Sequence, residues 1–333
     1  MRVELSDRSR YLALNLLDRY ENHISAELLW RSVDEWNFGL GKPFSALHCI
    51  SYFGIAEVAI DLIRTGRWDV NQKDSTGLTP LMWAARHGRE EVVKLLLEEK
   101  HTQPDMPATK SGRTALSWAA GGGHVGVIEL FLGPLCVYPG NTGRRWGRIR
   151  QVVSVLLGKK CVNPDKPDGH SETPLVWAAK GGHHRVVELL LGREEVSPDR
   201  PDNDGQTPLM WAAKNGYDRV VELLLGREEV SPDRQDNGGQ TPLMWAAKNG
   251  YDIVVELLLG REEVSPDRPD NNGQTLLEWA TRNKYDRLVR ILLGQEDFSS
   301  IRRTRTPPIP RSAFTFRSTN QLKTQRPASP SMV

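Results

Sequence analysis

Residues 192–225 read GREEVSPDRPDNDGQTPLMWAAKNGYDRVVELLL, and residues 226–259 read GREEVSPDRQDNGGQTPLMWAAKNGYDIVVELLL. The two segments of 34 residues differ only at Pro201/Gln235, Asp204/Gly238 and Arg219/Ile253. Repetition at this period means supersecondary units stacked in a row, each burying its apolar face on its neighbours. A stack of near-identical units offers no unique cleft, so the chain reads first as a binding surface.

Working outward, the phrase that opens each unit recurs at Ser45, Thr79, Thr114, Thr173, Thr207, Thr241 and Thr275. In the unit at Thr207 the hydroxyl can cap free helix N–H groups, and Pro208 at the first helical position has no N–H to leave unpaired. Leu209, Ala212 and Ala213 then predict a short inner helix whose alanines allow close approach. Asn215-Gly216 ends it, because glycine tolerates the left-handed C-terminal position. Val220, Val221, Leu224 and Leu225 recur at helical spacing and predict the buried face of an outer helix. Pro232, Asp233, Asp236, Asn237, Gly238 and Gly239 are turn formers and predict a projecting finger before the next unit.

A period of 34 is shared with tetratricopeptide repeats, which pair longer helices with short turns and carry Trp, Leu-Gly and Tyr at fixed offsets. Here two short helices alternate with a long Pro/Asp/Gly loop, and Thr-Pro-Leu opens most units. This pattern resembles the ankyrin repeat over residues 45–293. The resemblance implies a finger turn followed by antiparallel helices, and protein recognition through a concave groove and the finger tips. The His usual after Thr-Pro-Leu is kept only as His48; Met82, Ser117, Val176, Met210, Met244 and Glu278 stand elsewhere. The Trp-Ala-Ala variant and the Val-x-Pro-Asp loops resemble arrays of fungal proteins, some of which follow a NACHT-type nucleotide-binding domain. The chain has no phosphate-binding Gly-x-x-x-x-Gly-Lys-Ser/Thr sequence of its own.

The expected fold is therefore an all-α ankyrin-repeat solenoid of about seven helix–turn–helix units and one degenerate unit. Residues 1–44 are expected to form a helical N-terminal cap, through Leu12, Leu16, Leu17, Leu28, Leu29 and Trp36. Residues 45–133 hold repeats 1–3, residues 134–172 a shortened repeat, and residues 173–297 repeats 4–7. The shortening is visible because Gly133 and Gly158 both end outer helices yet lie 25 apart, with residues 148–157 in phase as an outer helix. Either a kink in the stack or an error in the gene model would produce it. The last unit adds Glu278, Arg282, Arg287 and Arg290, charges that suit a terminal cap. Residues 298–333 are basic, rich in Pro, Ser and Thr, aperiodic, and expected to be disordered.

The formal charge of +2 conceals an asymmetry, since residues 298–333 carry seven cations (Arg302, Arg303, Arg305, Arg311, Arg317, Lys323, Arg326) and no acid. Cys49, Cys136 and Cys161 are odd in number and widely spaced, which argues for a reducing, intracellular compartment, cytoplasmic or nuclear. Charges among residues 1–20 exclude a signal peptide there, and no stretch reaches the ~20 apolar residues of a membrane helix.

The candidate recognition residues recur with the repeat. Trp83, Trp118, Trp177, Trp211, Trp245 and Trp279 occupy one place in six units, and helical spacing sets Lys180, Lys214, Asn215, Lys248 and Asn249 beside them. Tryptophan is enriched at binding hot spots, yet a stripe at fixed period also suits core packing, so both readings stand. The finger residues Asp202, Asp204, Gln206, Asp236 and Gln240 would steer a partner electrostatically.

No constellation for catalysis stands out. Residues 121–126, GGGHVG, match a dinucleotide fingerprint by letter but fall between two helices, so they read as a turn. His170, His183 and His184 lack ligand spacing, so no metal or other cofactor is expected. Arg144, Arg145, Arg148, Arg150, Lys159, Lys160 and the basic tail admit weak nucleic-acid binding, but no nucleic-acid module accompanies them. The function expected is that of a protein-binding scaffold or adaptor, with no small-molecule substrate and no membrane. A sensor fragment of a NACHT–ankyrin receptor and a nucleic-acid-associated protein are the alternatives.

Overall fold

The computed structural model describes residues 45–66, 68–133 and 162–293. Among these residues there are fourteen helices and no strand. They fall in pairs: α1 (Ala46–Phe53) with α2 (Ala56–Thr65), α3 (Pro80–Arg86) with α4 (Glu90–Glu98), and α5 (Ala115–Gly121) with α6 (Val125–Leu132). Then follow α7 (Pro174–Lys180) with α8 (His184–Leu191), α9 (Pro208–Asn215) with α10 (Asp218–Leu225), α11 (Pro242–Lys248) with α12 (Asp252–Leu259), and α13 (Leu276–Arg282) with α14 (Asp286–Leu292). The chain is an all-α solenoid.

The local chemistry of each unit is the one its sequence predicts. Thr207 is extended (φ −85°, ψ 166°) and its Oγ1 accepts from the Met210 N–H at 3.3 Å. Thr79, Thr114, Thr173, Thr241 and Thr275 cap their helices in the same way. Gly216 ends α9 at φ 74°. On α10, Val220, Val221, Leu224 and Leu225 are buried. Each such side chain contributes roughly 1.5–3 kcal/mol on leaving water, so packing rather than intrinsic propensity holds helices this short. Through the first six units inner helices stack on inner helices and outer on outer, with the alanines of successive inner helices buried.

The unit beginning at Thr114 and the unit beginning at Thr173 are direct neighbours, although 59 residues separate these two positions. Helix α5 packs on α7, and α6 on α8. Residues 162–172, grouped by sequence with the shortened repeat, form the finger of the unit at Thr173. That finger lies against the one before it: Gly169 N–H donates to Ser111 O at 2.9 Å, and Asn163 N–H to Asp105 Oδ2 at 2.9 Å. The intervening outer helix expected at 148–157, the cap at 1–44 and the tail at 298–333 lie outside the described residues.

Candidate recognition face

The tryptophans and the cations three residues after them form one alternating column along the inner helices. Arg86 lies 5.7 Å from the Trp83 ring and 4.7 Å from that of Trp118. Arg113 sits 3.7 Å from Trp118 and 3.5 Å from Trp177. Lys180 then bridges Trp177 (5.0 Å) and Trp211 (3.7 Å), and Lys214 bridges Trp211 (4.6 Å) and Trp245 (4.2 Å). A cation over an indole face is worth about 0.5–1 kcal/mol when exposed and about 2 or more when desolvated. Each cation is shared between units, so the column couples neighbours.

The indole N–H groups are also engaged. Nε1 of Trp83, Trp177, Trp211 and Trp245 donates to Oδ2 of Asp74, Asp168, Asp202 and Asp236 at 2.7, 3.0, 2.9 and 2.9 Å. The other carboxylate oxygen closes the finger: Oδ1 of Asp202 accepts from Asp204 N–H (3.0 Å) and Gln206 N–H (2.8 Å), and Asp236 repeats this with Gly238 and Gln240. Asp202 and Asp236 are buried, and their carboxylates are consumed inside the protein. Gln206 and Gln240 reach the next finger, donating to Asp236 Oδ2 and Asp270 Oδ2.

The remaining candidates divide the same way. Asn215 and Asn249 donate from Nδ2 to the carbonyls of Lys180 (3.3 Å) and Lys214 (3.0 Å) in the unit before. Lys180 pairs with Glu172, and Lys248 with Gln240 and, at 3.9 Å, Asp270. Trp83 is only 4% exposed, while Trp118, Trp177, Trp211, Trp245 and Trp279 are half-buried. Asp204 alone of the candidate acids projects from the finger, beside exposed Asn203, Asn237 and Gly238. Lys214 alone of the candidate lysines makes no ion pair among the described residues, its ammonium held only by two indoles.

Two members of the column escaped sequence reasoning. Arg86 stands three residues after Trp83, as Lys180 and Lys214 do after theirs, so its position was legible. Arg113 was not, because it precedes its helix and occupies space that Gly121 leaves empty. A Cβ on Gly121 would lie 2.8 Å from Arg113 Nη2. Burial lowers the Arg113 guanidinium to about 10, and Arg86 adds to this, while Asp168 and Glu172 oppose it; the group stays charged near neutrality.

The third unit also lacks the finger carboxylate. Ala108 N–H bonds the Arg113 carbonyl as Asp202 N–H bonds that of Gln206, so Ala108 occupies the aspartate's turn position. Trp118 Nε1 is accordingly buried without an acceptor. Ala108→Asp is expected to stabilise the chain by about 1 kcal/mol, read from urea unfolding, because it gives a buried donor its partner beside a cation. No gain would mean that the longer turn, Ala108 to Arg113, holds the new carboxylate out of reach.

Other reactive side chains have structural roles. His48 Nε2 faces the carbonyls of Gln72 (3.0 Å) and Leu78 (3.1 Å), so it carries the proton, while Nδ1 accepts from Ser45 N–H. Burial lowers the pKa of this ring despite Asp74, and the neutral form is the one the fold holds. Burial pushes the Cys49 thiol up to about 11, which removes its nucleophilicity near neutral pH. His183 Nε2 is 3.0 Å from Gly121 O, tying two units together. Among the described residues no group of three or more His, Cys, Asp or Glu side chains could hold a metal ion. Nor is any helix among them long and apolar enough to cross a membrane.

Helix pairs in register, with a finger between successive pairs and cation–indole contacts across four of the interfaces, define a repeat solenoid of the protein-binding type. A family model described as ankyrin repeats (3 copies) matches residues 24–107, 47–138, 145–236 and 218–303. The chain belongs to the ankyrin-repeat family. It is 38% identical over 80 residues to human ankyrin repeat and SAM domain-containing protein 3. That match covers 22% of this chain and only 12% of the relative. Among solved structures, the human ASB11 ankyrin repeat domain superposes with a TM-score of 0.58 at 23% identity, covering 76% of this chain and 98% of that one. At this identity the likeness concerns the fold.

Proposed function

We propose that this chain is a non-catalytic recognition scaffold that holds an acidic segment of a partner protein along the inner-helix face and finger tips. The observation that carries the reading is Lys214. Its ammonium is half-buried between the Trp211 and Trp245 rings, at 4.6 and 4.2 Å, and lacks the carboxylate partner that Lys180 possesses. A partner carboxylate would supply that counter-charge in a setting with low local dielectric, where charge pairs are stronger. Exposed Asp204, Asn203 and Asn237 would set orientation at the rim, and the half-buried indole edges would add contact area. The compartment proposed is intracellular, from the cysteine pattern.

The test is capture from cell lysate on the immobilised full chain, with mass-spectrometric readout. Lys214→Glu is expected to lower capture of the specific partner at least about tenfold, since like charges then meet. Lys214→Met, which keeps an aliphatic stem between the rings, controls for packing. It should retain helicity and yet bind more weakly than wild type. Equal capture by the folded Lys214→Glu protein would place recognition elsewhere on the molecule.

A further inference from the structure

The stack opens between its sixth and seventh units. In the fifth and sixth units the tyrosine after the inner-helix turn closes on the preceding unit. A Cβ on Gly182 would lie 2.6 Å from Tyr217, and one on Gly216 would lie 2.4 Å from Tyr251. In the seventh unit Tyr285 stacks instead on its own Trp279, with centroids 5.2 Å apart, and a Cβ on Gly250 would meet nothing within 4 Å. Helices α13 and α14 approach α11 and α12 less closely than any other neighbouring units approach each other. An open groove of about 550 Å³ borders this seam, lined by the fifth and sixth units and closed on one side by Arg287 of the seventh.

Its walls combine apolar and acidic groups. Tyr251 and Ile253 are 37% and 45% exposed and line it with Val254. Three carboxylates (Asp218, Asp252, Glu256) and one guanidinium (Arg287) line it; Arg287 donates to Asp252 Oδ2 at 2.8 Å and lies 3.6 Å from Glu256 Oε1. The neighbouring twin unit is an internal control. At the place of Ile253 it has Arg219, which pairs with Glu222 at 2.8 Å. The exchange of Arg for Ile thus removes a cation and adds apolar surface at the one seam that opens.

We infer that residues 301–317 of the same chain dock in this groove. They hold Arg302, Arg303, Arg305, Arg311 and Arg317 with no acid, interleaved with Ile301, Ile309, Phe314 and Phe316. The charge and the apolar content both complement the groove. Reach is sufficient as well. Arg287 is on α14, the last helix among the described residues, and Leu293 follows six residues later, ~9 Å along the helix axis. The eight residues from Leu293 to Ile301 can span up to ~28 Å, more than that rise and one helix spacing of ~10 Å combined. Tethering supplies an effective concentration of order mM, so modest contacts suffice. The inference concerns the outer-helix side of the seam and does not depend on the inner-helix reading above.

The experiment places the photo-reactive amino acid benzoylphenylalanine at position 253 in the full chain, an exposed site that tolerates it. Unlabelled and heavy-isotope chains are mixed so that adducts within and between chains are distinguished by mass. Adducts from position 253 to residues 301–317 of the same chain are expected. Their yield should fall at least about fivefold between 0.05 and 1 M salt, where the screening length shrinks to ~3 Å. The triple variant Arg302→Glu/Arg303→Glu/Arg305→Glu should lose them to a similar degree, and a label at position 219 should give few. Absence of such adducts, their salt insensitivity, or adducts only between chains would overturn the inference.

Discussion

Asp202→Ala is expected to destabilise the stack by about 3–5 kcal/mol, measured by urea unfolding followed by circular dichroism and tryptophan fluorescence. The carboxylate accepts from Asp204 N–H, Gln206 N–H and Trp211 Nε1–H at 3.0, 2.8 and 2.9 Å. Hydrogen bonds to a charged acceptor contribute about 1.5–3 kcal/mol each, and in the variant buried donors are left facing a methyl group. The terms share one acceptor and will not add in full. Asp202→Asn keeps a carbonyl oxygen for the two backbone donors but turns an amide toward the indole N–H, so an intermediate loss of about 1–3 kcal/mol is expected. Asp204→Ala, two residues away and exposed, should stay within about 0.5 kcal/mol. Equal losses at 202 and 204 would mean that the finger turn, rather than the buried carboxylate, holds the energy.

The second large effect belongs to Arg113. It is 8% exposed, lies between the rings of Trp118 and Trp177, and donates from Nη2 to Ser117 O at 2.9 Å. These contacts join the third unit to the fourth, the two segments separated in sequence by residues 134–161. Arg113→Ala is expected to cost about 3 kcal/mol, from a lost desolvated cation–ring contact and the cavity left between two indoles. It should also split unfolding into two transitions, because stability in a solenoid depends on the coupling of neighbours. Arg113→Met is the discriminating variant. It fills much of the volume while removing a buried charge whose Nε has no partner, so it should lie within about 1 kcal/mol of wild type. If Met costs as much as Ala, the guanidinium charge itself holds the seam.

These variants follow from a division that sequence could not make. Asp202 and Asp204 both read as finger acids suited to steering a partner. The structure buries one beneath an indole and leaves the other at the tip. Lys180, Lys214 and Lys248 likewise repeat at one place, yet only Lys214 lacks an anionic or amide partner. The tryptophans satisfy both readings in part, with N–H groups engaged in four units and cations against five of the rings, but rings half-buried in five units. Trp→Ala variants would therefore disturb folding and recognition together, which is why Lys214 carries the binding test.

What the sequence determined by itself was everything local or periodic. The Thr-Pro starts, the glycine ends, the apolar spacing of Val220, Val221, Leu224 and Leu225, and the seven recurring unit starts dictated an all-α solenoid, because each depends only on residues within one turn or one period. Tertiary structure alone decided which polar residues face a neighbouring unit and which face water. A repeat writes the same letters at every interface, so the sequence carries no mark of where a staple is complete, as at Trp211 and Asp202, or missing, as at Trp118 and Ala108. It decided the direct contact of units across residues 134–161, since stacking selects complementary faces regardless of chain length between them. It also opened the seam between the sixth and seventh units, where Tyr285 stacks on Trp279 instead of closing over Gly250, a choice between two aromatic contacts that only three-dimensional packing could make.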